Sequence, residues 1–126
     1  MFMENGTGNA RSSPDQRAAT ERIDEARASG VRLIESLRRL WDGVVEASEQ
    51  ANIDDEHDPE GATVAFERAQ LRDVLKQAHA DMDDLDRAAE RLRTGDYWVC
   101  DICGGPIAVE RLAARPTATT CIRCAR

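Results

Sequence analysis

The apolar positions fall in two long stretches with one rhythm, three residues and then four. In the first, Ile23, Ala26, Gly30, Leu33, Leu37, Leu40, Val44, Ala47 and Ala51 alternate in such steps. A 3.5-residue period keeps them on one helical face, and about four repeats of it make a coiled-coil seam. The charged residues Arg22, Glu25, Arg32, Glu35, Arg39 and Glu46 fall off that seam. Trp41 borders it beside Leu40 and reads as edge packing rather than a ligand contact. Gly30 should cost about 1 kcal/mol against alanine unless a partner helix approaches closely there. Ser13-Pro14-Asp15-Gln16 reads as the helix start, with Ser13 as cap, Pro14 at the first helical position and Gln16 as a capping-box partner.

The second stretch runs Val64, Leu71, Leu75, Ala78, Met82, Leu85, Ala89 and Leu92, with Arg68 filling one seam position. Thr94-Gly95 ends it, glycine being the usual residue for a left-handed position after a helix. Between the two stretches, Asn52 to Ala62 contains Pro59 and Gly61, five acidic residues and no Lys or Arg. Asp58 can cap a new helix with Pro59 at its first position. Two helices of similar length, each with one apolar stripe and a short loop between, should fold back as an antiparallel coiled-coil hairpin. Ala18 to Ala51 as one helix would span about 50 Å. Two helices bury little, so such a hairpin needs a clamp at its open end.

Cys100, Cys103, Cys121 and Cys124 supply a candidate clamp. They are the only cysteines and form two Cys-x-x-Cys pairs separated by seventeen residues. That spacing matches the pattern of a closed, tetrahedral, structural Zn2+ site. Two redox pairs or two disulfides are the alternatives, but a thioredoxin-type pair belongs near a βαβ pattern that this chain lacks. Tyr97, Trp98 and Val99 should pack the finger onto the helix ends. Gly104-Gly105 gives backbone amides room to bend around thiolates. Ile107 to Leu112 looks like a short strand or turn, broken at Arg115-Pro116. The expected fold is mainly α, a long antiparallel coiled-coil hairpin with a small four-cysteine zinc finger at its base. Residues 1–13 form a disordered tail, 14–94 the hairpin with its tip at about 53–62, and 95–126 the finger.

Charge narrows the function. The chain carries a formal −7, with 33% charged and 4% aromatic residues. Four thiolates on one zinc ion would take it to roughly −9. Such a chain repels phosphate backbones, so direct nucleic-acid binding is not expected, and a basic surface on a partner protein is the better match. The N-terminus has no apolar signal-peptide region, and no apolar run approaches a membrane span. The protein is expected to be cytoplasmic, off the membrane and monomeric. No nucleophile–base pair stands out and the metal shell has no open position, so it reads as no enzyme. Asp81, Asp83, Asp84 and Asp86 flank Met82 and Leu85 and read as an exposed helix face. His57 and His79 are not needed as ligands where four thiolates close the site. On residues alone the acidic segment 54–60 reads as a solvated loop with capping aspartates.

One stretch carries a family likeness. Tyr-Trp-Val-Cys-Asp-Ile-Cys-Gly (97–104), Ile-Ala-Val-Glu-Arg-Leu-Ala-Ala-Arg-Pro-Thr-Ala (107–118) and Cys-Ile-Arg-Cys (121–124) together resemble the DksA/TraR family of bacterial transcription regulators. The resemblance is strong from Gly95 to Cys124 and architectural over the helices. It implies direct binding to RNA polymerase, with the coiled coil entering the secondary channel and acidic tip residues acting at the catalytic centre. It makes Asp54, Asp55, Asp58, Glu60 and Ala62 the partner-binding tip. The family's tip has two aspartates followed by an alanine; ungapped counting places His57, Glu60 and Ala62 there. The family's site for the alarmone ppGpp uses basic residues whose counterparts here are Asp84, Arg115 and Ala125. Only Arg115 keeps the sign, so ppGpp is not expected to bind through that site. Two other readings compete: a zinc-finger DNA-binding protein drawing on Arg111, Arg115, Arg123 and Arg126, and a thiol-based redox-sensing regulator that releases zinc on oxidation.

Overall fold

In the computed structural model, residues 13–54 and 59–125 are described. Helix α1 spans Ser13–Asp54 and helix α2 Pro59–Thr94. A single 3-10 turn, Asp96–Trp98, and a short helix α3, Val109–Ala114, complete the elements. The only pairing of extended backbone among the described residues is an isolated bridge between Val99 and Pro106. The expected tail falls outside the described residues except for Ser13, which already belongs to α1. The mainly α fold, with α1 and α2 packed together, is the one the apolar rhythm predicts.

The chain divides into two compact units, residues 13–28 with 83–125 and residues 29–82. The first holds the deeper core. Ala19 and Ile23 of α1 meet Ala88 and Leu92 of α2, and Tyr97, Trp98, Cys100, Ile107 and Leu112 close over them. Tyr97 and Trp98 are 1% and 2% exposed, so the two aromatics are core and not surface. Their rings meet edge to face at 5.0 Å, the arrangement that ring quadrupoles favour. Each polar tip is satisfied as burial demands. Tyr97 donates its hydroxyl hydrogen to the Pro116 carbonyl at 2.8 Å, and Trp98 donates Nε1–H to Gln16 Oε1 at 3.3 Å. Gln16 Nε2 in turn donates to the Leu92 carbonyl at 3.2 Å. The Gln16 amide is therefore a cross-tie from α1 to the end of α2, not the capping-box partner that Ser13-x-x-Gln16 suggests.

Helix α2 ends as expected. Gly95 adopts a left-handed φ of 93° and its N–H reaches the Arg91 carbonyl at 2.9 Å. The Arg91 guanidinium then donates to the carbonyls of Asp96 and Val99, both at 3.0 Å, and fixes the turn into the finger. Ile107 to Leu112 departs from its expected strand or turn. Ile107 does bond back in extended fashion, its N–H to the Trp98 carbonyl at 2.8 Å. From Val109 the chain is helical, because Glu, Arg, Leu and two alanines are strong helix formers and outweigh one β-branched residue.

Residues 29–82 form a thinner assembly. Only Leu37 and Ala78 are buried there among the described residues. Arg68 and Arg72 both lie over the Trp41 ring, their guanidinium carbons 5.5 and 5.8 Å from its centroid. Trp41 is thus a half-buried cation–π platform at the helix contact. The seam of α1 also shifts. Leu33 and Leu40 are 50% and 59% exposed, while Ile34 and Trp41 take the half-buried positions beside Leu37. The covered positions Gly30, Ile34, Leu37, Trp41 and Val44 step four and then three, so they keep the seven-residue repeat and α2 covers the side of the Gly30–Leu37–Val44 line opposite to Leu33 and Leu40.

Gly30 is a close contact between the helices, since a Cβ there would collide with Met82 Sδ. Replacing Gly30 with leucine should overpack this contact and cost about 1–3 kcal/mol. Urea denaturation followed by circular dichroism checks it; an unchanged midpoint would mean that α2 does not approach α1 there.

Candidate metal centre

Each Cys-x-x-Cys segment forms a tight knuckle around its own sulfurs. In the first, Gly104 takes φ 75°, a conformation open to glycine, and its N–H bonds the Cys100 carbonyl at 2.9 Å. This turn directs amides at sulfur: Ile102 N–H to Cys100 Sγ and Gly105 N–H to Cys103 Sγ, both at 3.4 Å. In the second, the N–H groups of Cys124 and Ala125 both bond the Cys121 carbonyl, at 3.1 and 3.0 Å. Two ties hold the knuckles in register. Asp101 N–H reaches the Thr119 carbonyl at 3.0 Å, and Arg111 Nε donates to the Thr120 carbonyl at 2.8 Å. Arg111 lies on α3, so that helix braces the second knuckle.

The sulfur geometry fits zinc. All four Sγ atoms lie within 4.8 Å of one another. Zinc–sulfur bonds of 2.3 Å in a tetrahedron place sulfurs about 3.8 Å apart. The Cys103 and Cys121 sulfurs are 3.8 Å apart. Proton affinities within the cluster point the same way. The backbone amide of Cys103 is the largest influence on Cys100 and, with the Cys121 and Ile102 amides, lowers its thiol to about 6 against the opposing effect of burial. Cys121 is lowered too, chiefly by the Cys124 backbone amide. Cys124 is pushed up to about 12, first by its hydrogen bond with Cys121, then by burial and the nearby Cys100. Negative sulfurs this close hold a proton between them, and a divalent cation takes its place. The four cysteines are positioned to bind one structural metal ion, with no fifth residue needed.

The remaining sequence-selected residues are dispersed. Asp54 is the last residue of α1, and Glu60 and Ala62 lie in the first turn of α2, Ala62 exposed. Asp55, His57 and Asp58 lie outside the described residues. His79 is exposed on α2 and is not among the residues of the cysteine cluster. Asp81, Asp83, Asp84 and Asp86 are all exposed, and three of them have polar partners. Gln77 donates to Asp81 at 2.8 Å, Arg87 pairs with Asp84, and Arg27 of α1 reaches Asp86 at 2.9 Å. Such exposed pairs contribute about 0–1 kcal/mol each. Arg115 is exposed beyond α3. Sequence patterns gave no sign of the cross-tie at Gln16. Nor did they single out Arg91, whose position in the last turn of α2 was the available hint.

A pair of antiparallel helices closed by a four-cysteine zinc finger is a small structural class, and comparison with known proteins places the finger within it. Residues 93–126 match the prokaryotic dksA/traR C4-type zinc finger family. The chain is 44% identical over 43 residues to the RNA polymerase-binding transcription factor DksA of Haemophilus influenzae, covering 34% of this chain and 30% of that protein. It is 34% identical over 68 residues to the uncharacterized protein YteA of Bacillus subtilis, covering 52% of this chain and 28% of that protein. The matches therefore span less than a third of each relative. The structure of the transcription factor DksA2 from Pseudomonas aeruginosa superposes with a TM-score of 0.58 at 25% identity, over 96% of this chain and 86% of that one. The resemblance to the DksA/TraR family rests on all three comparisons, and the metal of its C4 finger is zinc.

Cys121→Ser should remove zinc and unseat the aromatic core. In a Trp41→Phe background, Trp98 fluorescence should shift to the red and the melting temperature should fall by several degrees, a loss of about 2 kcal/mol or more for a small metal-dependent unit. Full zinc content with an unchanged melting curve would refute the metal assignment.

Proposed function

We propose that this protein is a transcription regulator that binds RNA polymerase and acts through its secondary channel. One observation carries the reading: the chain is similar in fold, at a TM-score of 0.58 over 96% of its length, to a structure named as a transcription factor. A relative 44% identical over 43 residues is named as binding RNA polymerase. The physics is compatible. An acidic chain of net −7 disfavours duplex DNA as the direct target. A carboxylate-rich segment has a reason to approach an active site that holds magnesium and basic side chains.

In this reading the finger fixes the helix ends, and Asp54, Asp55, Asp58, Glu60 and Ala62 form the acting tip. Changing Asp55, Asp58 and Glu60 to Asn, Asn and Gln should leave folding and polymerase capture largely intact while removing the effect on transcription. A pull-down with purified polymerase, followed by transcription with wild-type and altered protein, reads both. Loss of capture in the altered protein would make the segment an anchor and overturn this division of labour.

The alarmone ppGpp does not bind through the site used elsewhere in the family. Asp84 is exposed and paired with Arg87, so it presents a carboxylate where a phosphate-rich ligand would need a cation. Transcription assays should therefore show the same response to the regulator with and without ppGpp. Restoring a response with Asp84→Lys would support the assignment, and a strong response in the wild type would refute it.

A further inference from the structure

Residues 29–82 present two edges of opposite charge. Trp41 marks one of them, since Arg68 and Arg72 of α2 both lie over its ring. On that edge α1 places Val31, Ile34, Arg38, Trp41 and Val45, in steps of three and four. Helix α2 places Ala65, Arg68, Arg72, Lys76 and His79 there, again three or four residues apart. Side chains at such spacings share one face of a helix. These ten positions hold four fixed cations and no carboxylate, in a chain of net −7. The other edge differs: Glu67 and Asp73 lie there with Leu40 and Val74.

The cations of the Trp41 edge are not used up within the chain. Among the described residues no carboxylate pairs with Arg38, Arg68, Arg72 or Lys76, whereas Arg27, Arg87 and Arg93 each have one. Arg68 Nε is buried without an acceptor, an unfavourable arrangement that hydrogen bonding within the chain does not offset. Stacking on an indole orders a guanidinium without neutralising it. The ring covers the flat of the fork and leaves its outer N–H donors for a carboxylate. Two guanidinium groups on one ring also repel each other, and an anion bound by both removes that repulsion.

We propose that this edge docks on an acidic segment of RNA polymerase, whose Asp or Glu side chains bind Arg68 and Arg72 beside Trp41. This rests on the polymerase reading and adds to it the face that makes contact. Val31 is exposed and Ile34 and Val45 are half-buried around the cations, so the edge offers apolar contact as a protein surface requires. A phosphate backbone is the poorer occupant. It extends along an acidic chain that repels it, whereas a short acidic segment meets only the basic edge. Trp41 precedes the end of α1 by thirteen residues, about 20 Å of helix, so contact here steadies the tip segment without occupying it.

Association of the zinc-loaded full chain with immobilised, purified bacterial RNA polymerase tests it. At roughly 0.05 M salt, Arg68→Met with Arg72→Met should slow association about tenfold. Methionine keeps an unbranched stem over Trp41, so helix content and melting temperature should stay close to wild type. Arg68→Lys with Arg72→Lys keeps the charge and should keep most of the rate. Raising the salt to about 0.5 M should erase the difference between the wild type and the methionine pair. Glu67→Gln with Asp73→Asn, a change of equal size on the other edge, should not slow association. A methionine pair that associates at the wild-type rate overturns the docking edge and leaves the polymerase reading standing. A wild type that does not bind polymerase overturns both. Equal losses in the methionine and lysine pairs, with a lowered melting temperature, mean that the arginines only brace the helices, and this too overturns the proposal. So does a salt-dependent shift of duplex DNA or RNA that the methionine pair loses, which assigns the edge to nucleic acid.

Discussion

The convergence of four sulfur atoms is the constraint on which this structure rests. Two helices of this composition cannot bury much by themselves. Outside Leu37 and Ala78, every buried apolar side chain among the described residues belongs to the unit that holds the cysteines. That core is not an ordinary helix interface. It is built from Tyr97, Trp98, Ile107 and Leu112, which come from turns and one six-residue helix with little independent stability. Those segments occupy their positions because both knuckles are pinned at one point, and the aromatics then close over Ala19, Ile23, Ala88 and Leu92. Metal binding and folding of this unit are thus one process, as expected where a site has no reason to exist in the unfolded chain.

The hydrogen bonds support the same view. Trp98 and Tyr97 each bring a polar atom into the core, and an unmet donor there would cost about 1–3 kcal/mol. Pro116 and Gln16 accept them, one from the finger and one from the first turns of α1. Arg91 likewise spends its guanidinium on two carbonyls of the turn that leads into the first knuckle. Polar ties join α1, α2 and the finger across long sequence separations and give the apolar cluster a fixed orientation.

Much of this was legible in the sequence. The cysteine spacing determines a tetrahedral site almost by itself, and the three-four rhythm determines two helices. Pro59 and Gly95 mark the start and end of α2 where the structure has them. The rhythm did not say which way the helix turns relative to its partner. Leu33 and Leu40 continue the Gly30, Leu37, Val44 repeat as well as Ile34 and Trp41 do, all at seven-residue spacing, and only packing distinguishes them. Gln16 was misread for a related reason. A capping pattern is local, whereas its partners lie 76 and 82 residues away. The tip residues could be named from a resemblance but not from the residues alone, because a run of aspartates is as well explained by solvation and helix capping.

The contrast between the two units bears on function. Stability in a protein is local, and segments with few buried apolar contacts open at lower free energy than the core. Residues 29–82 hold their helices together with half-buried aliphatics, one tryptophan beneath two arginines and a tight contact at Gly30. The metal-site unit has the larger apolar core and should open at higher free energy, while the thin-cored unit should open at lower cost. The uncovered leucines of α1 belong to the thin-cored unit, the one with the least core of its own to lose. A sequence selected only for a stable helical pair would have had good reason to bury them.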